Sequence, residues 1–137
     1  MEEYTDAIRQ RMKYLSYAPV VTVSALTGQR VSKIFELIKA GWESRQIHVP
    51  TGLLNNIFAP DLMQQWTARN PGQDLNIRYI TQARSSPPTF VVFPKGSKPL
   101  HFSTERFLVN QLRARFGLDG TPIRIRQRMK PPHKRGK

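Results

Sequence analysis

The sequence has 137 residues, which is enough for one ordinary globular domain or two very small ones. Its 22 lysines and arginines outnumber nine acidic residues, so the formal net charge is +13 and the pI is close to 11. The charge is uneven, because residues 1–119 carry +6 and the final 18 residues, which contain no acid, carry +7. A positive field attracts polyanions, and nucleic acid is the commonest of these in a cell.

Several classes of protein are excluded by composition. The chain has no cysteine, so it has no disulfide framework, no thiolate zinc site and no cysteine nucleophile. The longest apolar run, Phe90–Phe93, has four residues and is far too short to span a bilayer. The first residues, MEEY, are acidic and lack the apolar segment of a signal peptide. We therefore expect a soluble, cytoplasmic protein with no membrane partner.

The first 41 residues predict a helix, a strand and a second helix, which is an incomplete α/β unit because one strand cannot form a sheet. The first helix is predicted over 3–16 and the strand, buried on both faces, over 18–25. Thr27 is predicted to cap a second helix that begins at Val31. The apolar residues at helical spacing are Tyr4, Ile8, Met12 and Leu15 in the first helix and Ile34, Phe35, Ile38 and Trp42 in the second.

Residues 42–128 predict an α+β domain with the order α-α-β-β-α-β, in which a three-stranded sheet carries helices on one face. The strands are predicted over 75–83, 89–93 and 122–128. The first strand alternates two sets of side chains, Leu75, Ile77 and Tyr79 against Asn76, Arg78 and Ile80. The basic segment 129–137 has two prolines and one glycine and is predicted to be a disordered tail.

Turn and capping residues predict the helix boundaries of this domain. Thr51 is predicted to cap a helix that Pro60 interrupts, and Asp61 to cap its continuation. Ser103 is predicted to cap the last helix, and Gly117 to end it.

Catalytic chemistry finds little support in the sequence. The three histidines, His48, His101 and His133, are scattered and none has a second histidine at helical spacing, which favours plain surface or loop positions over metal or general-base roles. No phosphate loop of the G-x-x-x-x-G-K-[ST] type occurs. We therefore predict no catalytic residue, no metal site and no NTPase activity for this chain alone.

One Gly-x-x-G run occurs at Gly117–Gly120. In KH domains such a loop clamps the nucleic-acid backbone, usually between two helices. Here it links a helix to a strand, and Asp119 would repel phosphate, so a helix end followed by a turn is the favoured interpretation.

The last predicted strand carries the clearest binding signal. Alternation sends its arginines to one face while Ile123 and Ile125 face the core. The cations continue into the tail, and together they predict a polyanion-binding strip, here RNA-binding, rather than a merely solvated face. These cations are Arg124, Arg126, Arg128, Lys130, Lys134, Arg135 and Lys137. Tyr79 and Trp66 are candidates for stacking on bases, although core packing is favoured for both.

Five sequence blocks carry a resemblance to a known family. They are SALTGQRV at 24–31, PPTF at 87–90, LHF at 100–102, NQLR at 110–113 and GTPIR at 120–124. In this order and spacing they resemble the C-terminal end of the Der (EngA) family, bacterial double GTPases of large-ribosomal-subunit assembly. The resemblance covers essentially the whole chain.

The resemblance implies that residues 1–41 are the last elements of a second GTPase domain and that a KH-like domain follows. Of the family's nucleotide contacts only the guanine loop, Ser24, Ala25 and Leu26, has a counterpart here. The full-length family uses GTP and Mg²⁺, whereas no cofactor is expected for this chain alone. The implied partners are ribosomal RNA, the large ribosomal subunit and the GTPase domains of the full-length protein.

Two rival functions remain open at this stage. In one, the chain contributes to GTP hydrolysis only as part of the whole protein. In the other, it is a protein-interaction module whose basic face docks on acidic GTPase surfaces without direct RNA contact.

Overall fold

The computed structural model describes residues 1–129, except for the side chains of residues 57–59. Four of the predicted RNA-binding residues, Lys130, Lys134, Arg135 and Lys137, and almost all of the predicted tail lie outside the described residues. A short 3₁₀ turn at Lys13–Leu15 follows the first helix. The regular elements are α1 (Glu2–Arg11), α2 (Val31–Arg45), α3 (Thr51–Arg69), β1 (Ile77–Ser85), β2 (Pro88–Pro94), α4 (Phe102–Phe116) and β3 (Arg124–Gln127).

The sheet has the strand order β1-β2-β3. β1 and β2 are antiparallel, and β3 lies parallel to β2 because α4 carries the chain back across the sheet. The predicted α+β class is confirmed, and the order from α2 to β3 agrees with α-α-β-β-α-β. The two helices before the sheet differ from the prediction, however. The segments predicted as separate helices on either side of Pro60 form one helix, α3, and α2 is the helix that precedes it.

The core lies between one face of the sheet and the two helices α3 and α4. Its fully buried side chains include Leu54 and Leu62 from α3, Phe90 from β2, and Leu108 and Leu112 from α4. Leu54 and Leu62 flank Pro60, so burial on both sides of the proline offsets the roughly 3 kcal/mol that a mid-helix proline costs. Packing therefore keeps α3 continuous where the local sequence predicts a break.

All four predicted capping residues are wrong, since each side chain binds another partner. The observed N-caps are Arg30 for α2, Pro50 for α3 and His101 for α4, and Asp61 lies inside α3. Thr27 Oγ1 accepts from the Gln29 N–H, and Thr51 Oγ1 lies 2.9 Å from Thr81 Oγ1. Ser103 Oγ bonds His101 Nδ1, and Asp61 pairs with Arg115 at 3.2 Å. The predicted end of α4 at Gly117 is confirmed, with a left-handed φ of 65°.

A β-bulge changes the predicted alternation of β1. The register of β1 on β2 shifts between Ile77 and Tyr79, so one extra residue lies between the two. Ile80 consequently faces the core with 1% exposure, while Tyr79 turns outward with 41% exposure. The prediction that Tyr79 shares a face with Leu75 and Ile77 is wrong.

Residues 1–41 differ most from expectation. The predicted strand over 18–25 pairs with no strand in the part of the chain that the structure describes. α1 ends at Arg11, earlier than predicted, and buries none of its residues. α2 begins at Val31 as predicted, but Phe35, Ile38 and Trp42 are 62–69% exposed, whereas the face that includes Gly41 and Ser44 packs against the turn after α4.

Asn55 protects the open edge of the sheet, and removing it should destabilise the domain. Its side-chain amide donates to the Ile80 carbonyl at 2.8 Å, and its oxygen accepts from the Ile80 N–H at 3.1 Å. Because Asn55→Ala leaves both backbone groups without a partner, we expect the free energy of unfolding to fall by about 1–3 kcal/mol. Chemical denaturation measures this, with Asn56→Ala, an exposed neighbour on the same helix, as the matched control. Equal stability of the two variants would contradict the assignment.

Candidate nucleic-acid interface

The arginines of β3 and the residue after it form an exposed row. Arg124, Arg126 and Arg128 are exposed, while Ile123 and Ile125 pack partly buried against the core, which is the alternation the sequence predicts. Parallel pairing with β2 fixes the row, and the Arg128 N–H extends it by donating to the Val92 carbonyl at 3.0 Å. The arginines therefore project from the sheet face opposite α3 and α4.

We call this face the outer face and define it by the side chains that alternate with the core residues. They are Tyr79, Thr81 and Arg84 from β1, Thr89, Val91 and Phe93 from β2, and Arg124 and Arg126 from β3. The three strands contain four arginines and no acidic residue. The ion pairs found within residues 1–129 involve none of these arginines, so their charge is not neutralised by a carboxylate there.

The two aromatic residues considered for base stacking, Trp66 and Tyr79, lie in different environments. Trp66 is 5% exposed and its ring packs edge-on against Phe107 with centroids 5.3 Å apart, so it belongs to the core. Tyr79 lies on the outer face beside Phe93, with ring centroids 5.7 Å apart. Sequence reasoning missed Phe93, because the run TFVVF has no apolar–polar alternation that separates inward from outward positions.

The predicted guanine loop is a compact turn. The Ser24 N–H donates to the Gln29 carbonyl at 3.1 Å, and the Ser24 carbonyl accepts from the Gly28 N–H at 2.8 Å. Leu26 at its tip is 97% exposed, and Ala25 is also exposed. The loop lies in the N-terminal part of the chain, and none of its residues belongs to the outer face.

The Gly-x-x-G run forms a packed turn, as the favoured interpretation predicted. Leu118 is fully buried, and its N–H donates to the Arg113 carbonyl. The Gly117 carbonyl accepts from Ser44 Oγ at 2.9 Å, and a Cβ at Gly41 would lie 3.4 Å from the Gly120 carbonyl oxygen. A turn with these contacts is poorly suited to clamping a nucleic-acid backbone.

Arg113 organises the same turn. Its Nη1 donates to the Leu118 carbonyl at 2.6 Å and to the Thr121 carbonyl at 2.7 Å, and its guanidinium lies 4.8 Å from the centre of the Tyr17 ring. Burial lowers the pKa of Arg113, the negative charge of Asp119 offsets only part of this effect, and an arginine remains charged in any case. Asp74 has a pKa lowered chiefly by the hydrogen bond from the Asn76 N–H. Both shifts arise from contacts within the fold and not at a reacting centre.

The histidines do not form a site in the described chain. His48 is exposed, and His101 caps α4 by accepting from the Ser103 N–H, while His133 lies outside the described residues. Within residues 1–129 no three His, Asp or Glu side chains are grouped so that they could hold a metal ion. None of the helices described is long and apolar enough to cross a membrane.

The comparison with protein families is decisive for the fold. The family described as "KH-domain-like of EngA bacterial GTPase enzymes, C-terminal" matches residues 48–128, which include α3, α4 and all three strands. The chain belongs to this family. The KH-like assignment therefore agrees with the observed sheet, and the resemblance to Der (EngA) is confirmed.

Curated relatives of this KH-like chain carry the name GTPase Der. Those of Alkaliphilus oremlandii and Streptococcus suis are 42% and 44% identical over 125 residues, and that of Ruminiclostridium cellulolyticum is 42% identical over 132 residues. These alignments cover 91–95% of the chain but only 28–30% of each relative. The chain thus spans less than a third of the length of the GTPases it matches.

Proposed function

We propose that this KH-like domain binds ribosomal RNA of the large subunit through the arginines of β3 and Arg128, the residue after it. The observation that carries the proposal is the exposed row of Arg124, Arg126 and Arg128, anchored from behind by Ile123 and Ile125, on a sheet without acidic residues. Such a row neutralises phosphates and releases their counterions, which supplies most of the affinity in nucleic-acid binding. The cations at Lys130, Lys134, Arg135 and Lys137 would extend the row along the sequence.

A second surface supports packing against GTPase domains. The exposed face of α2 presents Phe35, Ile38 and Trp42, at the spacing of one helix face, and this is more apolar surface than water-facing helices usually carry. In the longer relatives, we propose, GTPase domains cover this face, and Ser24, Ala25 and Leu26 contribute their loop to a guanine site completed by those domains. GTP and Mg²⁺ would bind only at that completed site in the longer relatives. We place this function in the cytoplasm, where ribosomes assemble.

Binding of large-subunit RNA to the 137-residue chain, measured by fluorescence anisotropy over a series of salt concentrations, tests the proposal. Each phosphate contacted on single-stranded RNA contributes about −0.7 to the slope of log K against log salt, so three arginines alone predict a slope near −2. We expect polyglutamate at equal charge to compete poorly, because it lacks the stacking and backbone geometry of RNA. The protein-interaction alternative would replace this proposal if the 137-residue chain bound no RNA at low salt but did bind the isolated GTPase domains of a Der relative.

A further inference from the structure

The outer face combines a fixed aromatic ring with its charge. The bulge between Ile77 and Tyr79 turns Tyr79 out of the core, and 41% of this residue is exposed. Phe93 supports the ring from the neighbouring strand, with centroids 5.7 Å apart and planes inclined by 57°. A ring held in this way loses little freedom when a flat ligand stacks on it.

The register of the sheet sets the distance between this ring and the row of arginines. Successive outward residues of a strand are about 6.6 Å apart, which separates Arg124 from Arg126 and Arg126 from Arg128 along the row. Tyr79 pairs with Phe93 on β2, and Val91 on β2 pairs with Arg126 on β3, so two strand spacings, about 10 Å, separate the ring from the row. Val91 lies between them but is only 7% exposed, so the side chains around it, and not Val91 itself, form the surface there.

This spacing suits one nucleotide lying across the strands. A phosphate on the arginine row would leave its ribose between the row and the ring, with its base directed towards Tyr79. In a duplex the bases are stacked on one another and cannot reach a protein ring, whereas unpaired bases can. The ligand that matches both the ring and the charge is therefore a single strand.

We propose that the outer face binds single-stranded RNA, with an unpaired base stacked on Tyr79 and phosphates along Arg124, Arg126 and Arg128. This inference rests on the proposed RNA binding and specifies which RNA and which face. It also assigns binding to the sheet, away from the Gly117–Gly120 turn, whose Leu118 is fully buried. Stacking tolerates any base, so the affinity should depend on strandedness more than on sequence.

Tyr79→Leu in the full chain tests the inference against a labelled oligoadenylate and a blunt-ended RNA duplex of equal charge, which has no unpaired bases. Leucine keeps an apolar contact with Phe93 but offers no ring, so oligoadenylate affinity should fall by roughly 5- to 150-fold, the range of one stacking interaction. The salt slope and the duplex affinity should stay unchanged, because no phosphate contact is removed. Tyr79→Phe should bind like the wild type, as should Tyr14→Leu, which removes an exposed tyrosine of the 3₁₀ turn.

The outcomes separate this inference from the proposed function. If Tyr79→Leu bound oligoadenylate as well as the wild type, or lost single-stranded and duplex binding equally, stacking on Tyr79 would be refuted while RNA binding stood. If the wild type bound neither RNA, the proposed function would fail first. Should the leucine variant not fold, ultraviolet crosslinking of oligoadenylate to the wild-type chain decides, since the crosslinked peptide is expected to contain Tyr79, and its absence from all crosslinks would overturn the inference.

Discussion

Amide hydrogen exchange is expected to show residues 1–41 opening well before residues 75–128. α1 buries no residue, the segment 18–25 has no strand partner among the described residues, and the buried core begins only at Val49. Local opening of such a region costs little, whereas the sheet and α4 exchange through global unfolding, which costs about 5 kcal/mol or more. We therefore expect protection factors to differ by about a thousand-fold or more.

The difference should be graded along α2. Its last turn is tied to the domain by Ser44 Oγ, which donates to the Gly117 carbonyl, and by the close approach of Gly41 to Gly120. Protection should thus rise from Val31 towards Arg45. Exchange followed by mass spectrometry on a verified monomer measures this, and uniform protection from α1 to β3 would contradict the account. Ser44→Ala should lower the protection of amides at the end of α2. The protection of β2 should not change, so β2 is the internal control.

The elements that the sequence predicted well are those in which local pattern and burial agree. β2 is a continuous apolar run at the centre of the sheet, and the isoleucines and arginines of β3 alternate, so both could be assigned from local sequence. α4 ends at Gly117 because a left-handed backbone there suits glycine. Its N-cap could not be predicted as easily, since Ser103 and His101 compete for the same position and their side chains bond each other.

The features that the sequence did not predict depend on partners distant in the chain. The bulge in β1 is defined by its register on β2, and nothing in the local pattern of residues 75–83 indicates an extra residue. The apolar residues of α2 spread over two faces, and only the packing of Gly41 and Ser44 on the turn after α4 shows which face is covered. The strand predicted over 18–25 would need a parallel neighbour, which residues 1–129 do not offer it.

The candidate site was predictable in its charge but not in its shape. Arg124, Arg126 and Arg128 follow from alternation and from the absence of acids near the C-terminus. That Tyr79 shares their face follows only from the bulge and from pairing across β2. The sequence also treated Trp66 as an equal candidate for stacking, because the contact with Phe107 that buries it joins two helices far apart in the chain.

The salt dependence of RNA binding by the triple variant Arg124→Gln, Arg126→Gln, Arg128→Gln tests the central claim most directly. Its fold should survive, because Ile123 and Ile125 on the opposite face are unchanged and all three arginines are exposed. The matched control is Arg11→Gln, Arg69→Gln, Lys98→Gln, which removes three exposed cations away from the outer face and gives the same net charge. Both variants are compared with the wild type by anisotropy on the same single-stranded RNA at several salt concentrations. We expect the slope of log K against log salt to flatten by about 2 units in the variant of the arginine row and by much less in the control. Equal slopes and affinities in the two variants would show that the arginine row only solubilises the sheet.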